Sequence, residues 1–584
     1  MKNSYYLATT GISKMWDLDT KLLMLGPWCL ANAFNRKFIE NKEYTLIPSP
    51  WKPEIKIKAA ADYCHDIYKE LLPILANRLN KLNKVDYPEK YWRVLIGYWL
   101  FTFIQQVYDK YIRIQYAAEK FPEFYTHVLP ESQSSLISVN TWEFARNLSS
   151  DYYNLKLFSL ICVLLHPNNV IVKSYHEQNE ILHNRYSWIH KLAIKAIQKI
   201  SSGNIILSDL YHISLINIVS LAWKSQFNVF TFMDFDPELE DCNHNFSPEI
   251  RSGIDMPSFP DPFRTLLCSL IPKALPVSFI EAYHAYKASI QKEMCKNPKT
   301  IGSVTGWYFN ERFNFFAAEA VVKGAQLVNL QHGGGYGLSL SIPEERICSE
   351  MNVFFSWGWT KSGANNIIPL PSPYLSSLKN SHVKKSDEAI FVGTAIPPYV
   401  YRFDSGFFSE DIQEYFINKK KFILSLTSEI REKILYRPFP AKYGWEEKAF
   451  LNRIFPGVRY IEKGKLTGYM QKAKLAVFDH PHTSYIEALT INLPTILYWS
   501  HNIFLMRPEA EEFFELMRLA GILHRNPADA AKKVNEIFED PFLWWQQPYV
   551  QDARKKFCER FALARKDWAN EWINKFKSLP SYQS

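Results

Sequence analysis

The chain has 584 residues, too many for one ordinary hydrophobic core, so two or three domains are expected. Its 47% hydrophobic and 15% aromatic content excludes a disordered chain. A net charge of +9 comes without a dense Lys/Arg tract or zinc-finger spacing, which argues against nucleic acid and agrees with an anionic ligand or a peripheral membrane contact.

The eight cysteines are scattered and no two form a CxxC pair. That distribution suits free thiols in a reducing compartment and argues against a disulfide scaffold or a structural zinc site. The segment Met1-Lys2-Asn3-Ser4-Tyr5-Tyr6 lacks the apolar core of a signal peptide. The most apolar windows, 94–104 and 157–165, are shorter than the roughly 18 residues that span a bilayer and read as buried helices. A cytoplasmic protein is expected.

Residues 21–26 predict a first strand closing on a glycine turn, followed by Pro27-Trp28-Cys29. Helical spacing runs from about 55 to 125, with a second long helix over Trp92–Ile114. The proline-rich segment 237–300 reads as surface loops, and just ahead of it Asp234-Phe235-Asp236 opens an acidic run that either holds a divalent ion or is a solvated loop. An amphipathic helix over 309–323 leads into the apolar run 325–330. Glu311, near the start of that helix, is a candidate acid, base or nucleophile, with a pairing to Arg312 as the plainer alternative.

The most informative stretch follows: Gln331-His332-Gly333-Gly334-Gly335-Tyr336-Gly337. A buried strand running into so glycine-dense a turn predicts close approach to a ligand, since glycine has no Cβ and tolerates positive φ. His332 brings a side chain that exchanges protons near neutral pH.

Beyond a polar link at 372–388, the pattern alternates. Strands are predicted at Ala389–Val392, Lys433–Tyr436, Val458–Ile461, Lys474–Phe478, Pro494–Tyr498 and Gly521–Leu523, with helices at Glu410–Glu432, Tyr485–Thr490, Glu509–Leu519 and Ala528–Phe538. This predicts a parallel, helix-covered sheet. A last helix spans Asp552–Phe576. The fold class expected is α/β, with two Rossmann-like halves facing across a cleft and extra helices in the first. The boundaries are 1–375 for the acceptor side, 376–550 for the nucleotide-sugar side, and 551–584 for a helix returning to the first half.

The second strong signal is Asp479-His480-Pro481-His482-Thr483-Ser484, between a strand and a helix. Ser484 and Glu487 have capping-box spacing, and a helix N-terminus at a cleft is a seat for phosphate. His480 and His482 as metal ligands are the weaker reading. Gly393 and Thr394 follow another strand and offer backbone amides to the same phosphate. Arg437 and Lys442 face either that ligand or solvent.

His480-Pro481 with Thr483-Ser484, Glu487-Ala488-Leu489 and Pro494 resembles bacterial GT-B glycosyltransferases of surface polysaccharides. The His-Pro pair is similar to the motif of bacterial sialyltransferases, which bind CMP-sugars. With Leu7-Ala8-Thr9-Thr10, Gly26-Pro27-Trp28-Cys29, Tyr91-Trp92-Arg93 and the glycine turn, nearly the whole chain resembles transferases of O-antigen and capsule loci related to the KpsS and KpsC type. The resemblance implies transfer of a 3-deoxy-ulosonic sugar, Kdo or pseudaminic acid, from a CMP donor to a capsule or lipopolysaccharide glycan. The helix-terminus phosphate seat makes a metal clamp unnecessary, so no metal or other cofactor is expected, and the net charge agrees with a peripheral contact with the inner membrane. Donor binding falls to Gly393, Thr394, Arg437, His480, Pro481, Thr483, Ser484 and Glu487; His332 is the expected base, beside Gln331, Gly333, Gly334 and Gly335. Three alternatives stand beside this reading: a GT-B sugar-nucleotide epimerase, a metal-dependent transferase using Asp234 and Asp236, and a non-catalytic protein of the capsule machinery.

Overall fold

Strands covered by helices on both faces need apolar side chains on both faces, and short apolar runs here fold as parallel strands. The computed structural model describes residues 5–31, 42–53, 55–176, 201–210, 213–232, 246–290, 297–340, 342, 345, 352–383, 386–403, 408–441 and 443–579. Three all-parallel sheets organise them. The first has the order β3-β2-β1-β4-β5 and consists of β1 (Tyr5–Ala8), β2 (Leu22–Met24), β3 (Tyr44–Leu46), β4 (Phe124–Val128) and β5 (Val170–Val172). The second, ordered β11-β10-β9-β8-β6-β7, consists of β6 (Ile205–Ser208), β7 (Val229–Phe232), β8 (Thr300–Ser303), β9 (Gln326–Leu330), β10 (Val353–Ser356) and β11 (Ile367–Pro369). The third, ordered β14-β13-β12-β15-β16-β17, consists of β12 (Ala389–Val392), β13 (Ile434–Arg437), β14 (Arg459–Tyr460), β15 (Leu475–Phe478), β16 (Thr495–Tyr498) and β17 (Leu523–His524).

The second and third sheets are the two Rossmann-like units expected, and the first is a further sheet ahead of them. Each sheet reverses its strand order once, beside β1, β6 and β12, and in open α/β sheets ligands bind in the crevice outside such a reversal.

The long helices Ile55–Asn83 and Glu89–Lys120 pack on one another beside the first sheet. The second buries a polar stripe of Gln105, Asp109, Lys110 and Arg113. Buried charge is tolerated only when met, and each of these groups has a partner. Arg113 pairs with Asp109 at 2.7 Å and Glu410 at 2.6 Å. Lys110 donates to the Val400 carbonyl at 2.7 Å, and Gln105 accepts from the Phe403 amide at 2.9 Å. The N-terminal third thus braces the loop that leaves β12.

Several expectations change. The predicted helix over 410–432 is two, Ile412–Ser425 and Ser428–Glu432, because Thr427 caps a new start by accepting from the Ile430 amide. The final helix is also two, Pro548–Phe561 and Trp568–Ser578. The second packs Trp568, Trp572 and Phe576 with Leu207, Val328 and Phe355 of the middle sheet. The polar link contains the helix Pro373–Leu378, capped by Ser372. The proline-rich segment carries helices Pro248–Ser252, Pro262–Ala274 and Tyr283–Ser289. Two of them begin with proline, whose missing N–H costs nothing at a first turn.

Candidate functional site

In the third sheet, β12 and β15 flank the order reversal, and their last residues, Val392 and Phe478, are in register. The two loops leaving them meet: Thr394 Oγ1 lies 3.0 Å from His482 Nδ1. His482 is the N-cap of the helix Thr483–Ile491, so the free amides and positive end of that helix face the crevice. Burial, reinforced by His480 and Arg402, pushes the His482 imidazole down to about 3, so it stays neutral.

The capping box predicted from Ser484 and Glu487 does not form. The helix begins at Thr483, which places Ser484 inside the first turn, where its hydroxyl lies 3.3 Å from His480 Nε2. Glu487 instead accepts from the Tyr374 hydroxyl at 3.0 Å, and burial pushes its carboxyl up to about 7. Pro481 is buried, while Thr483 and Ser484 are partly exposed.

Beneath this turn lies a polar network absent from the sequence reading. Lys419, fully buried on the helix Ile412–Ser425, sits 3.2 Å from Asp479 Oδ2 and also pairs with Glu447. It donates to the Tyr415 hydroxyl at 3.0 Å, and that hydroxyl donates to Asp479 Oδ1 at 3.0 Å. His480 is buried too, its Nδ1 3.0 Å from Asp479 Oδ1 and its Nε2 3.3 Å from Ser484 Oγ. Burial works against the Asp479 charge, yet the Lys419 ammonium and the His480 hydrogen bond hold its carboxyl below the usual range. A Cβ on Gly393 would stand 2.0 Å from the Tyr436 hydroxyl and 2.6 Å from Lys419 Nζ. This glycine therefore admits the lysine, and its amide, which the sequence offers to a phosphate, donates to the Arg437 carbonyl at 3.0 Å. Arg437 ends β13 and donates to the Ile461 carbonyl at 3.0 Å.

The glycine turn follows β9. The Gln331 side chain is buried: its carbonyl accepts from the Trp357 amide at 2.7 Å and the Trp359 indole at 2.8 Å, while its amide donates to the Gly333 carbonyl. Only Gly337 among the turn's glycines has positive φ, at +74°, where it packs on Trp359. The space over Gly334 is filled by the third sheet's unit. Its amide donates to Thr483 Oγ1 at 3.0 Å, and a Cβ there would meet Ile486 Cδ1 at 2.6 Å and Thr483 Cα at 3.0 Å. A Cβ on Gly333 would meet Thr483 Oγ1 at 3.2 Å, and one on Gly335 would meet Ile342 and Ser339. The N-terminus of the helix Thr483–Ile491 is thus a close neighbour of this turn. The next segment extends the joint, with Arg507 donating to the Ser339 carbonyl at 3.0 Å and pairing with Glu345.

His332 is half-buried, its Nδ1 2.9 Å from the Tyr336 hydroxyl and its ring edge-on to Tyr308. Asp209, which the sequence reading passed over, ends β6 at the second sheet's order reversal with φ of +47°. A non-glycine residue in that conformation is strained, and such strain clusters at functional sites. Its carboxylate accepts from Ser208 at 2.6 Å and Asn310 at 3.2 Å, and burial raises its pKa. The loop after β8 thus carries Asn310 against Asp209 and Tyr308 against His332, which sets both groups along one rim. Glu311 stands apart, buried against Thr141 and Ser278, and that burial pushes its carboxyl up to about 7.

A cavity of about 630 Å³ opens at the ends of β15, β16 and β17, lined by Tyr415, Asn418, Asp479, Trp499, Phe504 and Arg525 among others. It shares Tyr415 and Asp479 with the network. Among the described residues no group of three or more His, Cys, Asp or Glu is placed to hold a metal. Asp234, Asp236 and Lys442 lie outside the described residues. Cys29, Cys64, Cys162, Cys268 and Cys558 are free thiols, and no described helix is long and apolar enough to cross a membrane.

Polar groups at the strand-order reversals of two joined parallel sheets define a doubly wound α/β protein of the ligand-binding kind. The chain belongs to the LIC12162 family of transferases, whose model matches residues 5–576. Among solved structures it is similar to a protein described as a putative UDP-N-acetylglucosamine 2-epimerase from Listeria monocytogenes, at 12% identity over 65% of this chain and 99% of that one, with a TM-score of 0.37. It is also similar to Anabaena HepE in complex with UDP and glucose, at 11% identity over 64% and 100%, with a TM-score of 0.36. A third is Acinetobacter baumannii MurG, at 9% identity over 64% and 99%, with a TM-score of 0.34. No curated protein matches the chain.

Proposed function

We propose that this transferase is a GT-B glycosyltransferase that moves a 3-deoxy-ulosonic sugar, of the pseudaminic acid or Kdo kind, from CMP to a bacterial surface glycan. The observation that carries the reading is the helix Thr483–Ile491, whose N-terminus meets Thr394 across the order reversal beside β12. Transfer from CMP needs its phosphate stabilised as it leaves. Thr394, His482, Ser484 and the free helix amides supply donors to that phosphate, and His480 backs Ser484. The adjoining cavity has aromatic walls and amide side chains of the kind that hold a nucleoside. The choice of CMP rests on the likeness of His480-Pro481 to the sialyltransferase motif.

The acceptor hydroxyl must lose a proton, and His332 takes it, with Asp209 on the same rim orienting the acceptor. Arg437, bonded to the Ile461 carbonyl, and Glu487, bonded to Tyr374, serve the shape of the donor side.

Incubation with CMP-pseudaminic acid, CMP-Kdo and UDP-sugars, with and without a lipid-linked glycan acceptor, tests this reading. Consumption of a CMP-sugar only when acceptor is present is expected; acceptor-independent conversion of a UDP-sugar would mean an epimerase. His332→Ala should lower turnover by about 10²–10⁴-fold if the imidazole is the base. Its nucleotide affinity and melting temperature should remain near wild type. Turnover near wild type in the folded variant would remove His332 from the chemistry.

A further inference from the structure

A fully buried lysine is rare, because its charge must be matched by partners inside the protein. Lys419 is matched by Asp479 and Glu447 and by the hydroxyls of Tyr415 and Tyr436. Its neighbours Lys420 and Lys421 are exposed, as lysines on a helix surface ordinarily are. The residues around Lys419 also leave a space for it, since any side chain at position 393 would strike Lys419 Nζ and the Tyr436 hydroxyl.

Tyr415 Oη accepts from Lys419 and from the Thr394 amide at 2.9 Å, which leaves its one proton for the nearer of two acceptors, Asp479 Oδ1 at 3.0 Å against the Thr394 carbonyl at 3.3 Å. An ionised carboxylate only accepts, so the 3.0 Å contact between His480 Nδ1 and the same oxygen must be donated by the histidine. The Nδ1 proton is then committed to the sheet side. Nε2 is left facing Ser484 Oγ, on the first turn of the helix that faces the crevice.

We propose that Lys419 and Asp479 are positioning residues that commit the Nδ1 proton of His480, so that Nε2 takes a proton from solvent when a nucleotide phosphate settles against Ser484. In the empty site Ser484 donates its hydroxyl proton to neutral Nε2. With phosphate present, Nε2 carries the proton gained from solvent and donates it to Ser484 Oγ, while the Ser484 hydroxyl turns to a phosphate oxygen. One proton is gained and no covalent bond between heavy atoms changes. The anion's negative charge is met by an imidazolium beneath the seat, itself balanced by Asp479.

The groups around His480 suit this exchange. His482, with ring centroids 5.1 Å apart, stays neutral and adds no competing charge. Arg402 approaches the His482 side from the loop after β12. Tyr415, Lys419 and Glu447 lie behind Asp479. On the facing unit, His332 and Tyr336 belong to the turn that holds Thr483 through Gly334.

The proposal rests on the phosphate seat of the proposed function. It is tested by calorimetry of CMP binding at pH 8 in two buffers of different ionisation enthalpy. The wild-type protein should take up close to one proton per CMP, with affinity falling as pH rises, since proton uptake is linked to binding. The charge-neutral double variant Lys419→Met/Asp479→Asn should bind CMP at least tenfold more weakly, with no proton uptake and a flat pH profile. His480→Gln, which leaves the buried pair intact, should also lose the uptake and serves if the double variant does not fold. CMP binding without proton uptake in the wild-type protein, or undiminished uptake in His480→Gln, would overturn the relay and leave the phosphate seat standing. Failure of CMP to bind at all would overturn both.

Discussion

Gly334→Ala should damage this protein out of proportion to one methyl group. The new Cβ would lie 2.6 Å from Ile486 Cδ1 and 3.0 Å from the Thr483 Cα, and backbone cannot swing aside as a side-chain tip can. Overpacking of this kind costs about 1–3 kcal/mol. The cost falls on the joint between the glycine turn and the donor-side helix, so the Gly334 hydrogen bond to Thr483 stretches and the seat shifts against His332. A lower melting temperature and at least tenfold loss of turnover are expected together. Gly335→Ala is the control: its methyl would meet Ile342 Cδ1 at 3.0 Å and Ser339 Oγ at 3.2 Å, both movable side-chain ends. Equal tolerance of both substitutions would show that the turn does not set the joint.

Glu311→Gln should change how stability depends on pH. Burial pushes this carboxyl from 4.5 up to about 7, so the folded state holds a proton that the unfolded chain has already released. Its contribution is fully present below pH 4.5 and is lost as pH rises through 7. Over that window the shift corresponds to roughly 3 kcal/mol. Denaturant titrations should show wild-type stability declining relative to the variant from pH 5 to pH 8, with the variant the more stable at pH 8. Glu487 is raised in the same direction, which is why the difference between the two proteins is the quantity to read. The variant should also keep its turnover, because Glu311 lies against Thr141 and Ser278 rather than at the rim. Loss of turnover with unchanged stability would restore Glu311 as a catalytic candidate.

The third sheet was legible because its strands are short apolar runs, each closed by a polar turn and followed by a helix. The first sheet was mostly hidden. Leu22–Met24 and Tyr44–Leu46 are three residues each, and two long helices separate them from β4. The glycine turn's composition points to close approach, but sequence does not say what approaches. Thr483 and Ile486 are about 150 residues away along the chain, and only the fold brings them there. The Ser484/Glu487 spacing satisfied a capping pattern that the backbone does not use, since the helix starts at Thr483, two residues before the expected Tyr485, with His482 as its N-cap. Lys419 stood in a run of three lysines that reads as a solvated face, and Asp479 is 60 positions further on. Asp209 is one acid after an apolar run; its strained conformation and its place at the order reversal exist only in three dimensions.

The claim on which the functional reading turns is that the helix Thr483–Ile491 and the turn from His480 to Ser484 bind the donor's phosphate. Equilibrium binding of CMP to wild-type and His480→Ala protein, with melting temperatures measured on the same samples, tests it most directly. Losing the buried hydrogen bonds of His480 should cost about 1.5–3 kcal/mol in affinity, roughly 10- to 150-fold weaker binding, in a variant that remains folded. Equal CMP affinity in the two folded proteins would contradict the account.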